Sequence, residues 1–98
     1  MAKKEVSAGK VPPQNLDAEM SLLGAVLIDE EVLADISEHV TPHDFYDKRH
    51  SVVFAAMMRL FERHKPVDLL TLTEELKRKD QLDMIGGSAY LTELTNYV

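Results

Sequence analysis

Cysteine is absent from this 98-residue chain, and so is tryptophan. Without thiols there is no disulfide framework, no thiolate metal site and no cysteine nucleophile, and a reducing cytoplasm is the compartment to expect. Long apolar runs are missing as well. Nothing approaches the roughly twenty residues that a membrane helix needs, and no stretch of signal-peptide length follows the charged opening Met1-Ala2-Lys3-Lys4-Glu5. Catalytic signatures are equally scarce. No G-x-x-x-x-G-K-[ST] phosphate loop occurs, since Gly86-Gly87 is followed by Ser-Ala-Tyr with no Lys to reach a phosphate. None of Ser7, Ser21, Ser37, Ser51 and Ser88 has the flanking glycines of a nucleophile elbow.

What the chain has in quantity is apolar residues, 45%, and charged ones, 29%, the proportions of a globular domain. Its length suits one core. The net charge of -6 conceals a division along the chain: residues 12 to 47 hold nine Asp and Glu and no Lys or Arg, whereas residues 48 to 98 hold eight bases against seven acids. An acidic surface made from the first of these segments repels a phosphate backbone and suits a basic protein partner.

Residues 1–11 lack apolar periodicity and read as a tail. After Pro12-Pro13, Asn15 is placed to cap a helix carrying Leu16, Met20, Leu23 and Leu27 on one face, with Ala18, Ser21, Gly24 and Ala25 as a small-residue strip suited to close approach of another helix. Asp29 ends that helix and caps a second, whose apolar side is Val32, Leu33, Ile36 and Val40 and whose polar side is Glu30, Glu31, Asp35 and Glu38; Thr41-Pro42 stops it. A third runs from Lys48 to about His64 through Val53, Phe54, Met57, Met58, Leu60 and Phe61. Thr71-Leu72-Thr73-Glu74 matches a capping box for a fourth, with Leu69, Leu72 and Leu76 inward and Glu74/Arg78 and Glu75/Lys79 as i, i+4 pairs. Gly86-Gly87 breaks the chain, and Ser88 is placed to cap a last helix bearing Tyr90, Leu91, Leu94 and Val98. The pattern predicts an all-α fold, a compact orthogonal bundle of about five to six short helices over residues 12–98. Tyr97-Val98 lie within an apolar stripe with no Gly, Pro or charged stop, which reads as a chain cut inside a longer protein.

Three clusters invite a functional reading. His39, His43, Asp44, Asp47 and His50 form the densest set of metal-ligand types, but Pro42 breaks the helix between His39 and His43, so exposed turn and helix-end residues explain them better. Lys77, Arg78 and Lys79 would serve a DNA-reading helix, yet Glu74, Glu75 and Asp80 match them, as on an ordinary solvated face. Phe45-Tyr46, two adjacent aromatics in a short link, either both anchor the loop, the reading placed slightly ahead, or divide between the core and the surface. Asp35, Glu38, Phe45 and Tyr46 are therefore the candidate partner-interface residues. Neither a catalytic residue nor a metal or cofactor ligand emerges.

The run Pro12-Pro13-Gln14-Asn15-Leu16-Asp17-Ala18-Glu19 with Ser21-Leu22-Leu23-Gly24 resembles the opening of the N-terminal domain of bacterial replicative DNA helicases of the DnaB type. Asp44-Phe45-Tyr46, His50, Val53-Phe54, Pro66-Val67-Asp68-Leu69-Leu70-Thr71-Leu72, Leu82 and Gly86-Gly87-Ser88-Ala89-Tyr90-Leu91 extend the likeness in order. The resemblance implies an all-α collar domain of a ring-shaped hexamer that unwinds duplex DNA at the replication fork. It implies contacts with other subunits, with primase and in some systems with a helicase loader. It also implies a following helical hairpin, and a separate C-terminal domain holding ATP and Mg, with no cofactor and no direct nucleic-acid contact in this part. A stand-alone all-α protein–protein interaction module is the alternative.

Overall fold

The computed structural model describes residues 15–97, so the tail 1–11, Pro12-Pro13 and Val98 lie outside the described residues. Among the described residues five α-helices make up the fold: α1 (Leu16–Ile28), α2 (Glu31–Ile36), α3 (Lys48–Glu62), α4 (Leu69–Arg78) and α5 (Gly87–Thr95). Short 3-10 turns at Pro42–Asp44 and Asp83–Ile85 complete it. No strand occurs among the described residues. The longest helix, α3, runs through the middle, touching α1, α4 and both 3-10 turns, while α1 packs along α5. Leu23, Val53, Phe54, Met57, Leu72, Leu76, Ile85, Leu91 and Leu94 are wholly buried and form the shared core.

Local chemistry explains most boundaries. Asn15 caps α1 by accepting the Ala18 N–H at 2.9 Å. Asp29 closes α1 with its backbone N–H, which donates to the Ala25 carbonyl, and its side chain accepts the Glu31 N–H at 3.1 Å, so one residue ends a helix and leads into the next. α3 and α4 end on residues in the left-handed region, His64 (φ 59°) and Asp80 (φ 58°). In each case the residue beyond donates back five positions, Lys65 N–H to the Leu60 carbonyl and Gln81 N–H to that of Leu76.

Five expectations need correction. The second helix ends at Ile36, short of Val40 and of Thr41-Pro42. The α1 stripe is rotated: Leu16 is 41% exposed and Met20 and Leu27 are only partly covered, while Glu19, Leu23 and Val26 form the buried line. α4 starts earlier than Thr71, because Asp68 is its cap; Asp68 Oδ1 accepts the Thr71 N–H at 2.9 Å and Thr71 Oγ1 accepts the Asp68 N–H at 3.0 Å, a capping box of Asp68 and Thr71. Arg78 does not turn to Glu74 but to Glu75, three residues back. Finally, α5 begins at Gly87 behind Gly86, so Ser88 is inside the helix and caps nothing. Gly86 sits at φ +106°, and a Cβ there would lie 3.0 Å from that of Tyr90. Only glycine suits this turn.

Candidate protein interface and the nodes that set it

The link between α2 and α3 is where the fold decides which groups reach solvent. Phe45 turns inward and packs against Phe54 with ring centroids 5.1 Å apart, whereas Tyr46 is 60% exposed. The two aromatics divide between core and surface, contrary to a loop anchored by both. The structure thus takes Phe45 off the candidate surface and leaves Tyr46 on it. An extended backbone passing from one ring to the next must point successive side chains to opposite sides.

Glu19 of α1 fixes that backbone. Its Oε2 accepts the Tyr46 N–H at 2.6 Å and its Oε1 the Asp47 N–H at 3.3 Å. The same Oε1 lies 2.7 Å from His50 Nδ1, and His50 Nε2 lies 2.5 Å from the Tyr90 hydroxyl. A carboxylate can only accept, so the Nδ1 proton is on the ring; in the neutral imidazole Nε2 then accepts from Tyr90. Glu19 and His50 are wholly buried, and no buried side-chain nitrogen or oxygen among the described residues lacks a partner. The node therefore ties α1, α3, α5 and the Tyr46 loop together without an unsatisfied polar atom. Outside it, Arg49 stacks over the Tyr90 ring at 4.4 Å and grips Asp47 through Nε and Nη2 at 3.2 and 2.8 Å. That bond holds the Asp47 carboxyl below its ordinary 3.8, and burial pushes the Tyr90 hydroxyl above 10.0.

His50 thus leaves the cluster of metal-ligand types, both ring nitrogens being engaged. His39 and His43 are exposed, in the turn after α2 and in the 3-10 turn. Among the described residues no three His, Asp or Glu side chains converge as metal ligands.

Asp35 and Glu38 are exposed, on α2 and in the turn after it. Beside them a shallow groove of ≈ 360 Å³ runs between Ser37–Pro42 and the α3 residues Ala55, Met58, Arg59 and Glu62. Glu30, expected only to face solvent, reaches across the fold and accepts the Val67 N–H at 2.9 Å.

A second carboxylate node lies between α3 and α4. Glu75, 4% exposed, receives three guanidinium groups: Arg78 through Nε and Nη2 at 3.2 and 2.9 Å, Arg59 through Nε at 2.6 Å and Arg63 through Nη2 at 2.8 Å. The bonds from Arg78 foremost, with those from Arg59 and Arg63, hold its carboxyl down at about 2. Sequence reading missed both nodes. The signal available was register: Glu19 stands i, i+4, i+7 with Leu23 and Val26, and His50 three and four residues before Val53 and Phe54, each on its helix's buried line.

The family profile described as DnaB-like helicase N terminal domain matches residues 11–98. The Replicative DNA helicase DnaB of Rhodothermus marinus is 50% identical over 91 residues, covering 93% of this chain and 10% of that protein. The Replicative DNA helicase DnaB of Geobacillus stearothermophilus is 45% identical over 94 residues, covering 96% and 21%. A solved structure, the N-terminal domain of DnaB helicase from Mycobacterium tuberculosis, superposes with a TM-score of 0.85 at 41% identity, covering 90% of this chain and 63% of that one. This chain spans from a tenth to about a fifth of the length of those two curated relatives.

Proposed function

Because this chain belongs to the family of DnaB-like helicase N-terminal domains, we propose that it is the assembly and protein-docking domain, the collar, of a hexameric replicative helicase that unwinds duplex DNA at the fork with ATP. In this reading residues 12–98 form the collar domain behind a tail of residues 1–11. ATP and Mg act in a separate C-terminal domain, and the residues here perform no chemistry; their work is to hold a rigid body against other subunits, primase and, in some systems, a loader. The single observation carrying it is the likeness to the solved N-terminal domain at 41% identity across 90% of the chain. Interior geometry agrees with a mechanical role. Both oxygens of each of the two buried carboxylates are engaged by protein donors, so they brace helices.

The docking face we assign is the exposed acidic flank Asp35 and Glu38 with Tyr46. Charge of one sign steers a basic partner and makes the contact salt-sensitive, and an exposed tyrosine offers contact area at low entropic cost. Primase binding to the chain, titrated calorimetrically at low and high salt, tests this. Asp35→Lys with Glu38→Lys should weaken binding several-fold at low salt and little at high salt. An affinity indifferent to both the substitutions and salt removes the acidic face from the docking surface.

A further inference from the structure

The Glu75 node holds more positive charge than its carboxylate requires. Arg78 alone forms the two-pronged pair that satisfies both carboxylate oxygens. Arg59 and Arg63 add two further guanidiniums to the same two oxygens. Three like charges are thereby held around one carboxylate, and Lys65 adds another on the rim of a pocket of ≈ 210 Å³ lined also by Leu60, Arg63, Thr71, Glu74 and Arg78. The guanidiniums are fixed but not buried: the side chains of Arg63 and Arg78 are 43% and 53% exposed, and Arg63 spends only Nη2 on Glu75. Donors that are already oriented lose little entropy on meeting a second anion, and that anion relieves the repulsion among them.

The geometry points to an anion-receiving site in which Arg63, Arg78 and Lys65 bind the carboxylate of an acidic segment of a partner protein. A nucleic-acid backbone fits less well. Glu74 and Glu75 line the same pocket and oppose a track of phosphates, the chain carries -6 overall, and the pocket accommodates a side chain rather than a strand. An isolated Asp or Glu can enter between the guanidiniums while its neighbours stay at the rim. The site lies between α3 and α4, is independent of the acidic α2 face, and gives the domain a second docking chemistry of opposite sign.

Nitrogen-15 NMR of the arginine side-chain Nε–H signals in the 98-residue chain tests the site, with hexaglutamate as the probe and oligothymidylate of matching charge as the comparison. Hexaglutamate should shift the Arg63 and Arg78 signals saturably at low salt. Arg63→Gln, which leaves Arg59 and Arg78 on Glu75, should weaken the response about tenfold, the loss of one charge-assisted hydrogen-bonded contact. Lys65→Gln, outside the buried node, should weaken it less while leaving the amide spectrum of the core unchanged. Absence of a saturable shift, a response of equal strength to oligothymidylate, or a response unaltered by both substitutions overturns the site.

Discussion

Glu19 and Glu75 are both buried carboxylates on helices, yet they are built in opposite ways. Glu19 is answered by two backbone N–H groups and a wholly buried histidine that is itself held by Tyr90. Glu75 is answered by three arginines whose side chains reach solvent. The first node exchanges hydrogen bonds inside the core and closes on itself. The second draws charge from the surface and leaves an excess there. What the contrast teaches is that the α1/α3/α5 side of the domain is braced for rigidity and the α3/α4 side is braced in a way that also presents charge.

The largest effect should come from Glu19→Ala, which strands two backbone N–H groups and His50 Nδ1 in a dry setting. A loss of about 3–5 kcal/mol is expected, read from urea unfolding. A loss below about 1 kcal/mol would mean that water replaces the carboxylate and the node is not closed. Gly86→Ala attacks the same node from the backbone: at φ +106° any side chain is strained, and the new methyl meets Tyr90. About 2 kcal/mol should be lost, with the Tyr90–His50 contact visibly perturbed in NMR spectra.

Glu75→Gln should cost less, about 1–2 kcal/mol, because its partners are half in water. Its effect also depends on pH. The folded carboxyl sits at about 2 against an ordinary 4.5, so its contribution is complete above about pH 4.5 and is lost as pH falls through 2. The urea midpoints of the natural chain and the glutamine variant should therefore converge between those values. Smallest is the effect of salt: at about 1 M the gap between these two proteins should narrow, while the gap produced by Glu19→Ala should not move.

Helix count, order and class were legible because apolar spacing and capping residues are local signals. Asn15 and Asp29 behaved as their residue types require. Failures arose where a tertiary partner outbid a local one. Glu19 stands in the first turn of α1, where a carboxylate ordinarily meets solvent, and is instead drawn inward by the Tyr46 loop. Arg78 had a favoured partner at Glu74 by spacing, but the carboxylate already shared by Arg59 and Arg63 is the deeper well. Asp68 displaced Thr71 as the α4 cap because both members of the box were present three residues earlier. Of the candidate interface, the exposure of Asp35 could be read from helical periodicity. The split between Phe45 and Tyr46 could not, since it depends on Phe54 and Glu19 arriving from two other helices.

The most direct measurement is made on a chimera, with these residues replacing the 94 aligned residues of the Geobacillus stearothermophilus helicase, to which they are 45% identical. Native mass spectrometry with and without primase reads assembly and docking together. Hexameric rings that bind primase, and bind it more weakly once Asp35 and Glu38 are reversed, are what a collar domain with an acidic docking face predicts. Folded chimeras that stay monomeric, or that form rings deaf to primase and to the reversal, would contradict it.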